Sequence, residues 1–323
     1  MATTEADRLR QFAITRRLEA AGFRAWPATS THYDGTWAVR LTTSFPAKRL
    51  NSVNPLSWLA VGRRLRREQP DVVVFRFWLP FMGPALGTVA RLVRGNGHTR
   101  CVAITDNVIP HEQRPGDRPL TRYFLSACDG FVTMSKSVLQ DLRQLGFGRK
   151  PALYRPHPLY DNFGPIKPRA EALAALGLGP EVRYLLFFGF IRAYKGLDLL
   201  LEAFADAQLA ALPVKLIIAG EFYEDAAPYE ALIQKYKLES RIVRATDFIP
   251  NEQVADYFCA ADVVVQPYKD ATQSGVSQIA YHFERPMLVT DVGGLAELIP
   301  DGEVGYVVPP TAAAIADALV DFC

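Results

Sequence analysis

Two short stretches carry the side chains with the most definite chemistry. In Phe187–Phe204 (FFGFIRAYKGLDLLLEAF), Arg192 and Lys195 follow an apolar run and a glycine, and stand just before a helical pattern. A cation beside a helix N-terminus is disfavoured by about 0.3–1 kcal/mol unless an anion sits opposite. Lys195 is either a solvated surface lysine at a helix start or, the better explanation of its place, one with an anion opposite. In the second stretch, Thr272-Gln273-Ser274-Gly275 precedes Val276, Ile279, Ala280 and Phe283, whose helical spacing gives a buried stripe. Side chains of this type cap a helix, and the free N–H groups and dipole at its start attract anions. Capping by itself accounts for the same residues, so their neighbours decide.

The elements that must position these residues alternate between β-branched runs and amphipathic helices, the pattern of parallel sheets covered by helices. In the first half, Val72–Phe75, Cys101–Ile104 and Phe131–Met134 read as buried strands, with helices at Leu56–Arg67, Leu86–Val93 and Ser137–Leu145. In the second half the strands are Tyr184–Phe188, Leu216–Ala219, Val263–Gln266 and Leu288–Thr290. The helices between and after them cover Leu197–Ala207, Tyr229–Lys237, Val254–Ala261, Val276–Phe283 and Ala312–Phe322. The proline-rich segment Arg155–Pro168 reads as a linker. The expected fold is α/β, with two Rossmann-like domains, residues 1–160 and 161–323, whose parallel sheets face across a cleft. Both ends read as truncated. Glu5–Ala21 is a helix pattern followed by strand-like FRAW, with no preceding strand and glycine-rich turn, and the last helix stops at Cys323.

Charge divides at the same boundary. Residues 1–160 carry 24 Lys/Arg against 11 Asp/Glu, and residues 161–323 carry 12 against 23. A basic half suggests an anionic partner: nucleic acid, an anionic membrane face or a phosphate-bearing acceptor. Leu56–Arg67 groups Trp58, Val61 and Leu65 near Arg63, Arg64, Arg66 and Arg67. Such a helix lies on anionic lipid or, more commonly, packs its apolar side on a sheet. No nucleic-acid motif supports the first partner. The best candidate span, Val72–Leu92, is broken by Arg76 and Pro80, and the polar N-terminus lacks a signal-peptide run. Cys101, Cys128, Cys259 and Cys323 have no metal-ligand spacing and read as ordinary thiols in a reducing, cytoplasmic setting.

The stretch Asp270–Pro310 resembles the donor-binding signature of the retaining family 4 glycosyltransferases of the GT-B fold. The resemblance runs through Ala260-Ala261-Asp262, Val263–Gln266, the helix at Val276, Pro286–Thr290, Asp291–Ile299, Asp301-Gly302, Gly305 and Val308–Pro310. Phe187–Phe204 is similar to the family's strand, loop and helix with its phosphate-binding lysine, here Lys195. Leu216–Gly220 with Glu221 is similar to the next strand and donor loop. Asp71–Phe75, Ala103–Pro110, Asp129–Ser137 and Pro156–Phe163 match more loosely. Two departures stand out. Where the family has a Glu-x7-Glu pair for sugar and ribose, this chain has Ala271 and Ile279; where it has an arginine after the loop glycine, this chain has Phe190, with Arg192 two residues later.

The resemblance implies transfer of a sugar from a nucleoside diphosphate sugar to a glycan or lipid-linked acceptor, with retention, in polysaccharide biosynthesis. It implies a metal-independent hexosyltransferase with no cofactor besides the donor substrate. The donor site would comprise Arg192, Lys195, Glu221, Gln273, Ser274, Gly275, Val276 and Gln278, with Gln273, Gln278 and Glu284 as substitutes for the absent carboxylates. The family often has His-Asp after the strand that Cys101–Ile104 matches. Asp106-Asn107 fill that place with His111 beyond, so Asp106 and His111 are the candidates for contact with acceptor or transferred sugar. A turn with a solvent-facing histidine is the alternative. His157 and Asp161 read as structural. Family members of this kind often use lipid-phosphate acceptors, so a cytoplasmic protein peripheral to the inner membrane face is expected. A degenerate, non-catalytic relative and a sugar-nucleotide epimerase remain as alternatives.

Overall fold

The computed structural model describes residues 50–110 and 114–323. The helix expected over Glu5–Ala21, the strand-like FRAW and His111 lie outside the described residues. The chain divides into two compact units. One extends to Val132 and includes Leu142–Leu153; the other is Thr133–Asp141 with Tyr154–Cys323.

The first unit opens with α1 (Pro55–Glu68), which the Asn54 side chain caps by accepting from Leu56 N. Then follow β1 (Val72–Phe77), α2 (Gly83–Arg94), β2 (Arg100–Thr105), α3 (Asp117–Ala127) and β3 (Gly130–Thr133). After α4 (Lys136–Leu142), which apart from Leu142 belongs to the second unit, β4 (Ala152–Tyr154) completes a sheet of order β1-β2-β3-β4. Strands β1 and β2 run parallel, from Val72 opposite Arg100 to Phe77 opposite Thr105. Helix α1 packs on α2. Gly62 allows the close approach, since a Cβ there would stand 2.6 Å from Leu92 Cδ1. Phe77 and Phe124 are fully buried, with ring centroids 4.8 Å apart, and tie α3 to the sheet. Helix α3 has no counterpart in the sequence reading. Its Pro119 lies in the first turn, where a missing N–H leaves no helical bond unmade.

The second unit is a doubly wound sheet. Its elements are α5 (Arg169–Ala175), β5 (Arg183–Phe188), α6 (Leu197–Phe204), α7 (Ala207–Ala210), β6 (Val214–Ala219), α8 (Ala227–Lys235), β7 (Ile242–Ala245) and α9 (Asn251–Ala260). They continue with β8 (Val263–Gln266), α10 (Gly275–His282), β9 (Met287–Thr290), β10 (Gly305–Val308) and α11 (Ala312–Phe322). The strand order is β10-β9-β8-β5-β6-β7, and the paired strands are parallel. Side chains alternate across it as the two-residue period requires. Tyr184 and Leu186 join α5, α9 and α10 in one core; Leu185 and Phe187 join α6, α8 and α11 in the other.

The chain winds outward from β5 through β6 to β7, then returns to β8 and winds the other way. The reversal lies between β5 and β8, and ligands of open parallel sheets bind outside the carboxyl ends of the strands at such a point. The loop carrying Lys195 follows β5, and the loop leading to Gly275 follows β8.

Candidate functional site

Strand β5 ends at Gly189, whose φ of 96° suits a residue without a Cβ. Its N–H donates to Ala219 O at 2.8 Å, extending the β5–β6 pairing by one step. Gly220, at φ 131°, closes over it; a Cβ on Gly220 would lie 2.5 Å from Gly189 O. Two further bonds lock the loops together. Ile191 N donates to Glu221 O at 2.8 Å, and Tyr223 N to Ile191 O at 3.0 Å.

Lys195 closes a 3₁₀ turn, Ala193–Lys195, and is 9% exposed. Its Nζ stands 3.2 Å, and Val276 Cγ2 3.7 Å, from the place a Gly189 side chain would fill. The ammonium and the start of α10 therefore meet over one glycine. Burial first, and then the nearby Arg192 charge, push the Lys195 pKa down to about 8. A buried ammonium normally has an acidic partner; among the described residues Lys195 has no ion pair. The turn is held against the strand across the switch point. Lys269 N donates to Tyr194 O at 2.7 Å, and Gly196, at φ 70°, presses so close that a Cβ would lie 1.9 Å from Pro267 O.

Ser274 caps α10, its Oγ accepting from Val276 N at 3.2 Å and lying 3.3 Å from the buried Tyr268 hydroxyl. Burial raises the Tyr268 pKa, so this phenol stays a neutral hydrogen-bonding group. The Tyr268 ring also lies beneath the ammonium, 5.7 Å from Lys195 Nζ. Tyr160 packs over the helix start, where a Cβ on Gly275 would meet its ring at 2.9 Å. The Gln273 Oε1 atom is buried with no hydrogen-bond partner among the described residues. Gln278 is buried in the first turns of α10, behind Gly275 and Val276. Glu221 is half-buried in the loop after β6. Glu284 is exposed beyond the other end of α10, away from the cap. Ala271 and Ile279 are 2% and 6% exposed in the apolar core, so neither position offers a polar contact.

Arg192 has a different setting. Its guanidinium carbon lies 4.2 Å from the centroid of the Tyr223 ring, and Phe190 meets that ring edge-on at 5.0 Å. The cation near Lys195 thus stands over Tyr223, whose contact with Phe190 joins the loops after β5 and β6.

In the first unit, Asp106 follows β2, its N–H bonded to Phe77 O at 3.0 Å. Its carboxylate pairs with Arg76 at 2.7 Å. The neighbouring Asn107 Oδ1 is buried with no hydrogen-bond partner among the described residues. Arg76 did not figure among the expected site residues, yet it was legible as the one charge inside an apolar strand, VVVFRF. Tyr223 and Tyr268 had no comparable signal; only the loop geometry brings them beside the cations.

Residues 182–323 match the model for Glycosyl transferases group 1, and residues 12–156 the model for Glycosyltransferase Family 4. The D-inositol 3-phosphate glycosyltransferase of Streptomyces avermitilis is 34% identical over 184 residues, 54% of this chain and 39% of that protein. The lipopolysaccharide core biosynthesis mannosyltransferase LpsB of Rhizobium meliloti is 28% identical over 163 residues, 46% of this chain and 43% of that protein. The chain spans about two fifths of the length of these curated relatives. Among solved structures, Anabaena Alr3699/HepE in complex with UDP superposes with a TM-score of 0.68 at 16% identity, covering 85% of this chain and 74% of the other. The fold is GT-B. With one model matching each half, this chain belongs to the family 4 glycosyltransferases.

Proposed function

We propose that this chain transfers a sugar from a nucleoside diphosphate sugar to a glycan or lipid-linked acceptor, with retention of configuration and without a metal. The observation that carries the reading is the meeting of Lys195 with the start of α10 over Gly189, at the switch point of the sheet. A buried ammonium with no acidic partner among the described residues suits a substrate that brings the negative charge. As the bond to the sugar breaks, charge grows on the diphosphate; Lys195, Arg192 and the N–H groups opening α10 are the groups assigned to stabilise it. Gln273, with its buried free acceptor, is assigned to a donor hydroxyl in place of the absent carboxylates. Asp106, oriented by Arg76, is assigned the polar contact with acceptor or transferred sugar. The names of the curated relatives and the UDP in the Anabaena structure support a nucleotide-sugar donor.

A second reading has its own support. Ala271 and Ile279 are built into the core, so contacts usual in the family are absent, and binding without turnover would follow. A panel of UDP-, GDP- and dTDP-sugars separates the two, with thermal stabilisation and nucleotide release as readouts. A donor at a hundred times its dissociation constant stabilises by about 2.7 kcal/mol. Stabilisation with release on a glycan or lipid acceptor is the expected result. Stabilisation without release on any acceptor selects the binding protein, and no stabilisation by any nucleotide defeats the donor-site reading.

A further inference from the structure

The family's arginine after the loop glycine is replaced here by Phe190, and the exchange comes with a different cation mount. The Arg192 guanidinium carbon stands 4.2 Å from the centroid of Tyr223, whose ring makes an edge-to-face contact with Phe190. Both aromatic residues are largely exposed, at 46% and 59%, so neither serves the core. Two backbone bonds from the Ile191 peptide units to Glu221 and Tyr223 fix the spacing of the loops that bear them. Ala193 N is held as well, by Glu224 Oε2 at 3.3 Å. The Arg192 side chain has no hydrogen-bond or ion-pair partner among the described residues. A guanidinium held by its carbon over a ring, with its N–H groups unengaged, leaves those N–H groups to match a phosphate. Its charge is close enough to depress the Lys195 pKa, so the two cations share one field.

We propose that Phe190 and Tyr223 form an aromatic seat that aims Arg192 at the diphosphate of the donor. Tyr223 is a positioning residue, acting through Arg192. The inference rests on the donor-site reading above and deepens it, since it states how the cation missing after Gly189 is replaced.

The test is a double-mutant cycle on the whole chain with Tyr223→Ala, Arg192→Ala and the pair, titrated with whichever of UDP, GDP and dTDP binds, and with its parent nucleoside. Tyr223→Ala is expected to weaken the diphosphate about three- to tenfold while leaving the nucleoside within twofold. In the Arg192→Ala background the same change is expected to have no further effect. Tyr223→Phe keeps the ring and is expected to bind like the wild type. Equal losses for nucleoside and diphosphate would mean that Tyr223 touches the base, and additive effects would mean that it acts without Arg192; either overturns the proposal. If the wild type binds the diphosphate and only Lys195→Ala weakens it, the seat is refuted and the donor site stands. If the wild type binds none of the three, both fail. Because Tyr223 is exposed, an unchanged thermal midpoint in Tyr223→Ala keeps a folding defect from imitating the result.

Discussion

The chemistry of Lys195 sets a testable dependence on pH. Its folded pKa is about 8 against an ordinary 10.5, so the unfolded chain holds more protons between those values. Stability therefore rises as pH climbs from about 8 to about 10.5, and below 8 it does not depend on this group's titration. A diphosphate at Nζ favours the charged form and raises the pKa again. Below pH 8 the ammonium is already present; near pH 9, binding must draw in a proton, so affinity falls as pH rises past 8. Calorimetry at pH 9 in buffers of different ionisation enthalpy is expected to show uptake of up to one proton, lost in Lys195→Met. Wild-type binding without uptake at pH 9 would mean that the ammonium is not opposite the phosphate. In the first unit, Asp106→Asn keeps the shape of the side chain but loses the charge paired with Arg76. It is expected to slow sugar transfer, read as nucleotide release, by about tenfold or more while leaving the nucleotide dissociation constant unchanged. A change in the dissociation constant alone would instead put Asp106 in the donor site.

At the scale of elements, the site depends on loops that close because particular residues have no side chain. Gly196 has a positive φ, and its place for a Cβ is occupied by Pro267 O at 1.9 Å. Gly196→Ala must push β8 and the Lys195 turn apart, since the blocking atom is backbone. A loss of about 1–3 kcal/mol is expected from urea titration, together with weakened nucleotide binding. A variant as stable as the wild type would show that the turn is not clamped to the strand. YLLFF and VVVQ, buried on both faces, were legible because a continuous apolar run needs no partner to be recognised; the half-exposed β1 was legible from its β-branched run alone. Strands β4, β7 and β10 escaped notice for the converse reason. All three lie at sheet edges, are only partly buried, and depend on a neighbour for pairing. The short helices α5 and α7 escaped too, having too few residues to display a period.

For the whole molecule, the uneven charge gives the expectation of membrane contact its physical content. The excess of Lys/Arg in residues 1–160 attracts anionic surfaces over about a Debye length, near 10 Å at 0.1 M salt. No helix among the described residues is long and apolar enough to cross a membrane. Co-sedimentation with phosphatidylglycerol vesicles is expected at low salt, with most binding lost by 0.5 M and none to phosphatidylcholine vesicles. Binding that resists salt would point to apolar insertion in place of charge.

The apolar periods and the order of motifs in this sequence sufficed for the α/β class, the long helices apart from α3, the inner strands and the family, since burial and helix spacing are written locally. Lys195 and the cap at Ser274 could also be read from their places beside strand and helix. Which groups meet was decided only by the tertiary structure. The switch point joins the loops after β5 and β8, which are seventy-odd residues apart, and places Lys195 and Val276 over Gly189. The same closure sets Arg192 on Tyr223 and buries Ala271 and Ile279 in the core, because contact depends on sheet order as well as on distance along the chain.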